Sequence, residues 1–273
     1  MKHIGNTLIT FILFGAMLFI HCAGSRSGQS SAPAFISIEE ELTLGEDISS
    51  FTLRYLDIIR NRTLNGFLDD MAKKIGAGSN WSGLPYTVFV INSDEINHFS
   101  LPGGNIYLFR GLIENAETAD EIAVILAHEI AHLSERDGVA RIAEKYSFSF
   151  AAQSVIGENP EIAEHIIASL YKEATILDYP AAHEFRADQI ALEYAQKANF
   201  NPRYLLLFLS KMEQIEKSHP LKTRLLRMTH PPTNARLKRT RKNLKKLSFP
   251  TQHSTEFAAA FQNAKRMLAQ IPR

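Results

Sequence analysis

Residues 128–132, near the middle of this 273-residue chain, read H-E-x-x-H and could carry out hydrolytic chemistry. In a helix, His128 and His132 leave the same face about 6 Å apart, because four residues complete just over one turn. Two imidazole nitrogens at that spacing suit one zinc ion, and Glu129 lies beside them as a candidate general base. The spacing therefore predicts a zinc site with a built-in proton acceptor.

The sequence around this motif predicts the helix that such a site requires. Thr118 and Glu121 form the T-x-x-E pattern of a capping box. No Gly or Pro follows until Gly138, and apolar residues recur with a helical period. These residues are Ile122, Ile125, Leu126, Ile130 and Leu133. The competing interpretation is a core helix whose two histidines make ordinary hydrogen bonds, because short motifs also arise by chance.

A catalytic zinc takes three protein ligands, so a third must come from elsewhere in the chain. Residues 183–188 read H-E-F-R-A-D at the start of a second predicted helix. Glu184 and Asp188 share a face of that helix, so one could bind zinc while the other accepts the free N–H of a ligating histidine. His183 could be the ligand instead of Glu184, and two solvated carboxylates at a helix start are the plainer alternative.

Four segments together resemble the M48 peptidase family. Besides H-E-x-x-H, residues 184–188 contain its E-x-x-A-D pattern. Residues 97–107, N-H-F-S-L-P-G-G-N-I-Y, resemble its N-A-F-A-x-P-G-G-x-I-x segment. Residues 229–236, T-H-P-P-T-N-A-R, resemble its S/T-H-P-x-x-x-x-R segment. The four occur in family order across roughly residues 40 to 245, which is more specific than any one motif.

The resemblance implies a zincin-like metallopeptidase domain with one Zn²⁺ per chain. By this resemblance His128, His132 and Glu184 would be the zinc ligands. Glu129 would be the general base, and Asp188 would orient a ligating histidine by accepting its free N–H.

Three further residues are candidates around this centre. In the resembled family the histidine that matches His230 can reach zinc as a fourth ligand in a closed resting state, which suggests self-inhibition; a structural histidine in a stiff, Pro-rich turn is the alternative. His183, Arg236 or a tyrosine could donate to the oxyanion. Arg236 could also bind a carboxylate, and a solvated helix arginine is the plainer alternative.

Two residues depart from the family pattern. His98 stands where the family usually has Ala, and Asp137 falls near a position where it often has His. Neither is expected to touch the proposed ligands, and both bear on substrate preference.

Two β-rich segments, residues 86–91 and 105–109, flank a predicted loop from Asn97 to Gly104 that contains Pro-Gly-Gly. They predict a small antiparallel sheet within an α+β domain that is mostly helical. The resemblance makes the strand after Pro-Gly-Gly the edge of a cleft, to which an extended peptide can add through backbone hydrogen bonds. Asn97, Gly103 and Gly104 would then lie beside the substrate, with the glycines permitting close backbone approach. A plain hairpin turn is the alternative.

The N-terminus carries an uncharged run from Ile4 to Ile20, whose most apolar part has the length of a signal-peptide core. Cys22, the only cysteine, follows directly and favours a lipoprotein lipidated at that residue. Cleavage after Gly24 and a retained membrane anchor are the alternatives. Each exports the chain to the periplasm, and the favoured one tethers it to the outer membrane as a lipoprotein. No second cysteine is available for a disulfide.

The predicted organisation is a signal segment in residues 1–24, a linker in 25–34, an M48-like peptidase domain in 35–250 and a C-terminal helical tail in 251–273.

Within a chain of net charge +1, residues 217–253 contain eleven Lys and Arg and no Asp or Glu. Such a run usually forms a solvated helix face, and contact with anionic lipid is the alternative. Nucleic acid is not expected as a partner of an exported chain.

Together these features predict a zinc endopeptidase of the cell envelope that hydrolyses misfolded or unassembled proteins, with Glu129 as the base. Two alternatives are a chaperone-like binding protein with little proteolysis and a zinc amidase that acts on the cell wall.

Overall fold

Helices make up most of the part of the chain that the structure, a computed structural model, describes: residues 37–146, 178–249 and 254–273. The described helices are α1 (Ile38–Tyr55), α2 (Arg62–Gly76), α3 (Arg110–Asn115), α4 (Ala119–Ser134), α5 (Asp137–Tyr146), α6 (Ala181–Lys197), α7 (Arg203–Ser218), α8 (Arg224–Thr229), α9 (Asn234–Leu244) and α10 (Ala258–Gln270). The described strands are β1 (Ile58–Ile59), β2 (Thr87–Ile91), β3 (His98–Leu101) and β4 (Asn105–Phe109). The predicted α+β class, mostly helical with one small sheet, is confirmed.

Within these ranges no helix is both long enough and apolar enough to cross a membrane. The predicted signal segment, the linker and Cys22 lie outside the described residues.

The four strands form one mixed sheet in the order β1-β2-β4-β3. β1 pairs antiparallel with β2, β2 pairs parallel with β4, and β3 pairs antiparallel with β4. The prediction that β2 and β4 run antiparallel is therefore wrong. Part of the segment expected to be a loop is β3, which lies between them in sequence and folds back onto β4. Because the chain reverses twice between β2 and β4, these two strands run in the same direction.

The edge of the sheet also differs from the prediction. β3, before the Pro-Gly-Gly segment, is an edge strand, whereas β4, after it, lies between β2 and β3. A peptide that adds to this side of the sheet would therefore meet β3 rather than β4.

The Pro-Gly-Gly segment is a 3-10 turn over Pro102–Gly104. Gly103 and Gly104 have φ values of 81° and 92°, which residues with a side chain rarely adopt. A Cβ atom on Gly104 would also lie 2.7 Å from the carbonyl oxygen of Pro85. Turn conformation and close packing explain these two glycines, in agreement with the hairpin-turn alternative.

The two faces of the sheet pack against different hydrophobic clusters. Val88 and Ile106 belong to the larger cluster, which includes α2, α4 and α6. Phe99 and Tyr107 belong to the smaller cluster, which includes α1. The rings of Phe89, Tyr107 and Phe99 stack across three neighbouring strands, with centroids 5.1 and 4.8 Å apart. The contact between Phe99 and Tyr107 supports the register of β3 against β4.

Helix α4 lies at the centre of the larger cluster. All its residues from Ala119 to Leu133 are buried, and it contacts α2, α6, α7 and β3. Thr118 is the N-cap, as predicted, but its side chain makes no cap hydrogen bond. Instead, the Glu121 carboxylate accepts from the backbone N–H of Glu117 at 3.1 Å. The start of the helix was predicted correctly, whereas the predicted capping box does not form.

The C-terminal segment contains the predicted helix, α10. Its residues Phe261, Ala264 and Leu268 belong to the larger hydrophobic cluster. Arg110 of α3 donates to the carbonyl oxygens of Leu268 and Pro272, each at 3.1 Å. The helix therefore packs into the same core as the H-E-x-x-H motif of α4.

Candidate metal centre

Helix α4 carries His128 and His132 on one buried face. Their Nε2 atoms lie 3.1 Å apart. The Nδ1 atom of His128 lies 3.2 Å from Oδ1 of Asp188, and the Nδ1 atom of His132 lies 2.8 Å from Oδ2 of Asp137. Each imidazole therefore faces a carboxylate through Nδ1 and directs Nε2 toward a common point.

The contact of Asp137 with His132 contradicts the expectation that Asp137 keeps clear of the proposed ligands. Helix α4 ends at Ser134, and Arg136 then adopts a positive φ of 57°. This turn brings Asp137, the first residue of α5, back to His132. Arg136 is held in place by buried Glu41 of α1, with Nε and Oε2 2.5 Å apart.

Helix α6 supplies the third candidate ligand. Oε1 of Glu184 lies 3.3 Å from Nε2 of His132, and Oε2 lies 3.7 Å from Nε2 of His128. His183, the alternative, instead directs Nδ1 toward Asp137 at 2.9 Å and is 25% exposed. The structure thus brings Glu184, rather than His183, to the histidine pair.

Arg236 of α9 joins the two carboxylates of α6. Its Nε and Nη2 donate to Asp188 at 2.8 and 2.7 Å, and Nη1 lies 2.7 Å from Oε2 of Glu184. Nη1 also donates to the carbonyl oxygen of His230 at 3.1 Å. The residue is only 3% exposed, so the solvated alternative is wrong. Its donors face these groups, so the guanidinium orients the carboxylates of Asp188 and Glu184.

His230 follows α8 and enters the same pocket. Its Nδ1 lies 2.9 Å from Oε1 of Glu184. Its buried Nε2 lies 3.7 Å from Oε1 of Glu129 and has no hydrogen-bond partner among the described residues. Asn97, the residue before β3, accepts from the hydroxyl of Thr229 at 3.2 Å. Asn97 therefore anchors the segment that carries His230.

Glu129 is held by two side chains of β3. Nδ1 of His98 lies 2.5 Å from Oε1, and the hydroxyl of Ser100 donates to Oε2 at 2.7 Å. The His98 ring also stacks on that of His230, with centroids 4.7 Å apart and planes 15° apart. His98 therefore lies inside the site, contrary to expectation. Neither His98 nor Ser100 was predicted as a site residue; the only signal was their alternation on one strand.

Tyr179 lies just before α6 and is the tyrosine nearest the histidine pair in the described residues. Its ring stacks on His132, with centroids 4.2 Å apart and planes 19° apart. Its hydroxyl is buried and has no hydrogen-bond partner within the described part of the chain. Burial, the largest influence, raises the pKa of this phenol well above its usual value, so it stays protonated and can donate.

Burial and charge act in opposite directions on the ionisable groups of the pocket. Burial has the largest effect on the pKa of Glu184 and raises it, but Arg236 and neighbouring imidazoles bring it well below its usual value. Burial lowers the pKa of His132, whereas hydrogen bonds to Asp137 and Glu184 more than offset this and raise it to about 10. The pKa of Glu129 is lowered despite burial, because imidazoles surround it. The pocket therefore holds ionised carboxylates and attracts cations.

These residues fit a zinc ion. Carboxylates lie beside both Nδ1 atoms, and the Nε2 atoms of His128 and His132 point toward each other at 3.1 Å. A zinc ion bound between them would take the place of a proton on Nε2. In the described ranges, His128, His132, Glu184 and His230 each offer one ligand atom, and these atoms lie within 4.8 Å of one another. Imidazole nitrogen and carboxylate oxygen are donors that zinc prefers.

A second group, formed by His98, Glu129 and His230, offers ligand atoms at similar spacing. An ion bound through an imidazole lone pair lies in the plane of that ring. The rings of His98 and His230 are stacked nearly parallel, so one ion does not lie in both planes. The short contacts of Glu129 are therefore better described as hydrogen bonds than as a second metal site.

A buried helix with H-E-x-x-H, a carboxylate from a later helix and a base held against a small sheet define the class of metal-dependent peptidases. The sequence pattern of peptidase family M48 matches residues 59–244, and the chain belongs to this family.

Similar proteins agree with this assignment. The chain is 24% identical to the beta-barrel assembly-enhancing protease of Yersinia pestis over 241 residues, which cover 85% of this chain and 49% of that protein. It is 25% identical to the protein of that name from Escherichia coli (strain K12) over 219 residues, or 76% and 44% of the two chains. It is 26% identical to mitochondrial metalloendopeptidase OMA1 of Schizosaccharomyces pombe over 212 residues, or 75% and 61%. The chain spans about half the length of the two bacterial relatives.

Proposed function

We propose that this chain is a zinc-dependent endopeptidase. The observation that carries the proposal is the convergence of His128, His132 and Glu184 beside Glu129 in one buried pocket. Membership in peptidase family M48 supports the same reaction class.

In this proposal the two histidines of α4 and Glu184 hold one Zn²⁺, while Asp188 and Asp137 orient the histidines through Nδ1. Zinc at this position would supply an activated water and polarise the peptide carbonyl. Glu129 accepts the proton of the attacking water and returns it to the leaving amine. Tyr179, with its unpartnered hydroxyl, is the donor that we assign to the developing oxyanion.

We further infer that the substrates are misfolded or unassembled proteins of the cell envelope. The names of the two bacterial relatives connect those proteins with beta-barrel assembly. The apolar N-terminal run before Cys22 supports export. In this proposal the enzyme acts in the periplasm and is tethered to the outer membrane through a lipid on Cys22, or through a retained anchor.

Cleavage of casein and of an unfolded outer-membrane protein by the purified full-length protein tests this function. We expect cleavage that a chelator abolishes and added zinc restores. Glu129→Gln should keep its zinc and lose at least about 100-fold in kcat, because it removes the general base. The control is the same substitution outside the pocket, at the exposed residue Glu193 of α6. Glu193→Gln should retain full activity.

Three results would overturn the proposal: cleavage that resists the chelator, full activity in Glu129→Gln, or zinc-loaded protein that binds the unfolded substrate without cutting it. The last result would favour the chaperone-like alternative. Release of peptides from cell-wall material with casein left intact would favour an amidase.

A further inference from the structure

The general base is fixed from the edge strand β3. His98 and Ser100 are two residues apart, so their side chains leave the same face of the strand, toward α4. His98 reaches one carboxylate oxygen of Glu129 at 2.5 Å, and Ser100 donates to the other at 2.7 Å. Both oxygens of the base therefore have a partner from the same strand.

β3 is a rigid support for these two side chains. His98 pairs with Leu108 and Ser100 pairs with Ile106 in the ladder between β3 and β4. Phe99, which lies between them, points to the other face and stacks on Tyr107 in the smaller hydrophobic cluster. Side chains on strands hold a reacting group more accurately than side chains on loops.

The imidazole of His98 is a donor to the base. Its Nδ1 lies 2.5 Å from Oε1 of Glu129, and because a carboxylate oxygen accepts, the Nδ1–H of His98 donates to it. The nearly parallel stacking on His230 leaves His98 out of the ligand set and fixes the tilt of its ring.

We propose that His98 is a positioning residue that, together with Ser100, holds the carboxylate of Glu129 in the orientation needed to take a proton from water. This inference rests on the proposed peptidase function. Without the two donors the carboxylate rotates about its terminal torsion, and a misplaced base lowers the rate of the chemical step. Substrate binding involves other groups, so the loss falls on kcat rather than on KM.

The test compares three variants of the full-length, zinc-loaded protein. His98→Leu keeps the approximate volume and removes the donor, and we expect kcat to fall about 10- to 100-fold with KM within about twofold. His98→Asn places an N–H at the same distance along the side chain and should recover most of the lost kcat. Ser100→Ala also leaves Glu129 with one of its two donors and should likewise lower kcat.

Phe99→Leu is the matched control. It changes a buried residue of the same strand on the opposite face, so it lowers the melting temperature without lowering the kcat of the folded enzyme. Zinc content and melting temperature, measured for every variant, separate a positioning effect from loss of metal or fold.

His98→Leu with unchanged kcat, or His98→Asn no better than His98→Leu, would overturn the inference while leaving the peptidase function in place. A wild-type protein without chelator-sensitive cleavage would overturn the proposed function, and this inference with it.

Discussion

Arg236 organises the metal centre although it lies 48 residues after Asp188 in sequence. Its planar guanidinium contacts both oxygens of Asp188, one oxygen of Glu184 and the carbonyl oxygen of His230. This one buried guanidinium thus orients the proposed ligand Glu184 and also Asp188, which contacts His128. It also holds the segment that carries His230, the candidate fourth ligand. Such bidentate geometry belongs to arginine and is not reproduced by lysine.

Arg236→Lys should therefore weaken zinc binding. We expect the affinity for zinc to fall about 10- to 100-fold, the usual cost of losing a group that orients metal ligands. Zinc competition with a fluorescent chelator measures the change, and activity should return when excess zinc is supplied. Arg241→Lys, on the exposed face of the same helix, should bind zinc like the wild type. Equal affinities in Arg236→Lys and the wild type would contradict this role.

The sequence predicted the parts of the site that depend on helical periodicity. Four-residue spacing places His128 with His132, and Glu184 with Asp188, on shared helix faces. It did not reveal that His98 contacts Glu129, because these residues are 31 positions apart and meet only through the packing of β3 on α4. The contact of Asp137 with His132 depends on the positive φ of Arg136, which no local pattern indicated.

At the scale of elements, strand propensity located β2 and β4 but not their relative direction. That direction follows from β3, a strand of four residues hidden in a stretch that looks like a loop because it leads into Pro-Gly-Gly. Strand direction depends on the path between strands, which local composition does not encode.

The segment between α8 and α9 brings His230 to the pocket and is the element we propose as a gate. If His230 occupies a fourth zinc position at rest, His230→Ala should raise kcat/KM for unfolded substrate by several-fold and weaken zinc binding, because one ligand is lost. Steady-state cleavage and zinc titration test both effects. His219→Ala, at an exposed histidine before α8, is the control. Unchanged or lower turnover in His230→Ala would rule out the gate.

For the whole molecule, the proposed ligands join helices that are far apart in sequence. α4 supplies His128 and His132, α6 supplies Glu184, and the segment after α8 supplies His230. A zinc ion held by these residues would crosslink the core.

Zinc removal should accordingly lower the thermal stability of the chain. Free zinc at about 100 times its dissociation constant adds about 2.7 kcal/mol to the free energy of unfolding. For a domain of this size that corresponds to a rise in Tm of roughly 5 to 10 °C, which differential scanning calorimetry resolves. Zinc should raise the Tm of Glu129→Gln by the same amount, whereas it should raise the Tm of His132→Ala only a little, because that variant lacks a proposed ligand. Identical melting of the chelated and zinc-loaded wild type would argue against a metal in the core.

The ion pair between Glu41 and Arg136 has a practical consequence for protein engineering. Arg136 sits at the turn that presents Asp137 to His132, and the carbonyl oxygen of Ser37 also accepts from its Nη2 at 3.3 Å. A shortened version of the protein that begins beyond α1 would remove the contact between Glu41 and Arg136 and loosen the support of His132, a proposed zinc ligand. The N-terminal boundary of any truncated catalytic domain should therefore be placed ahead of Ser37.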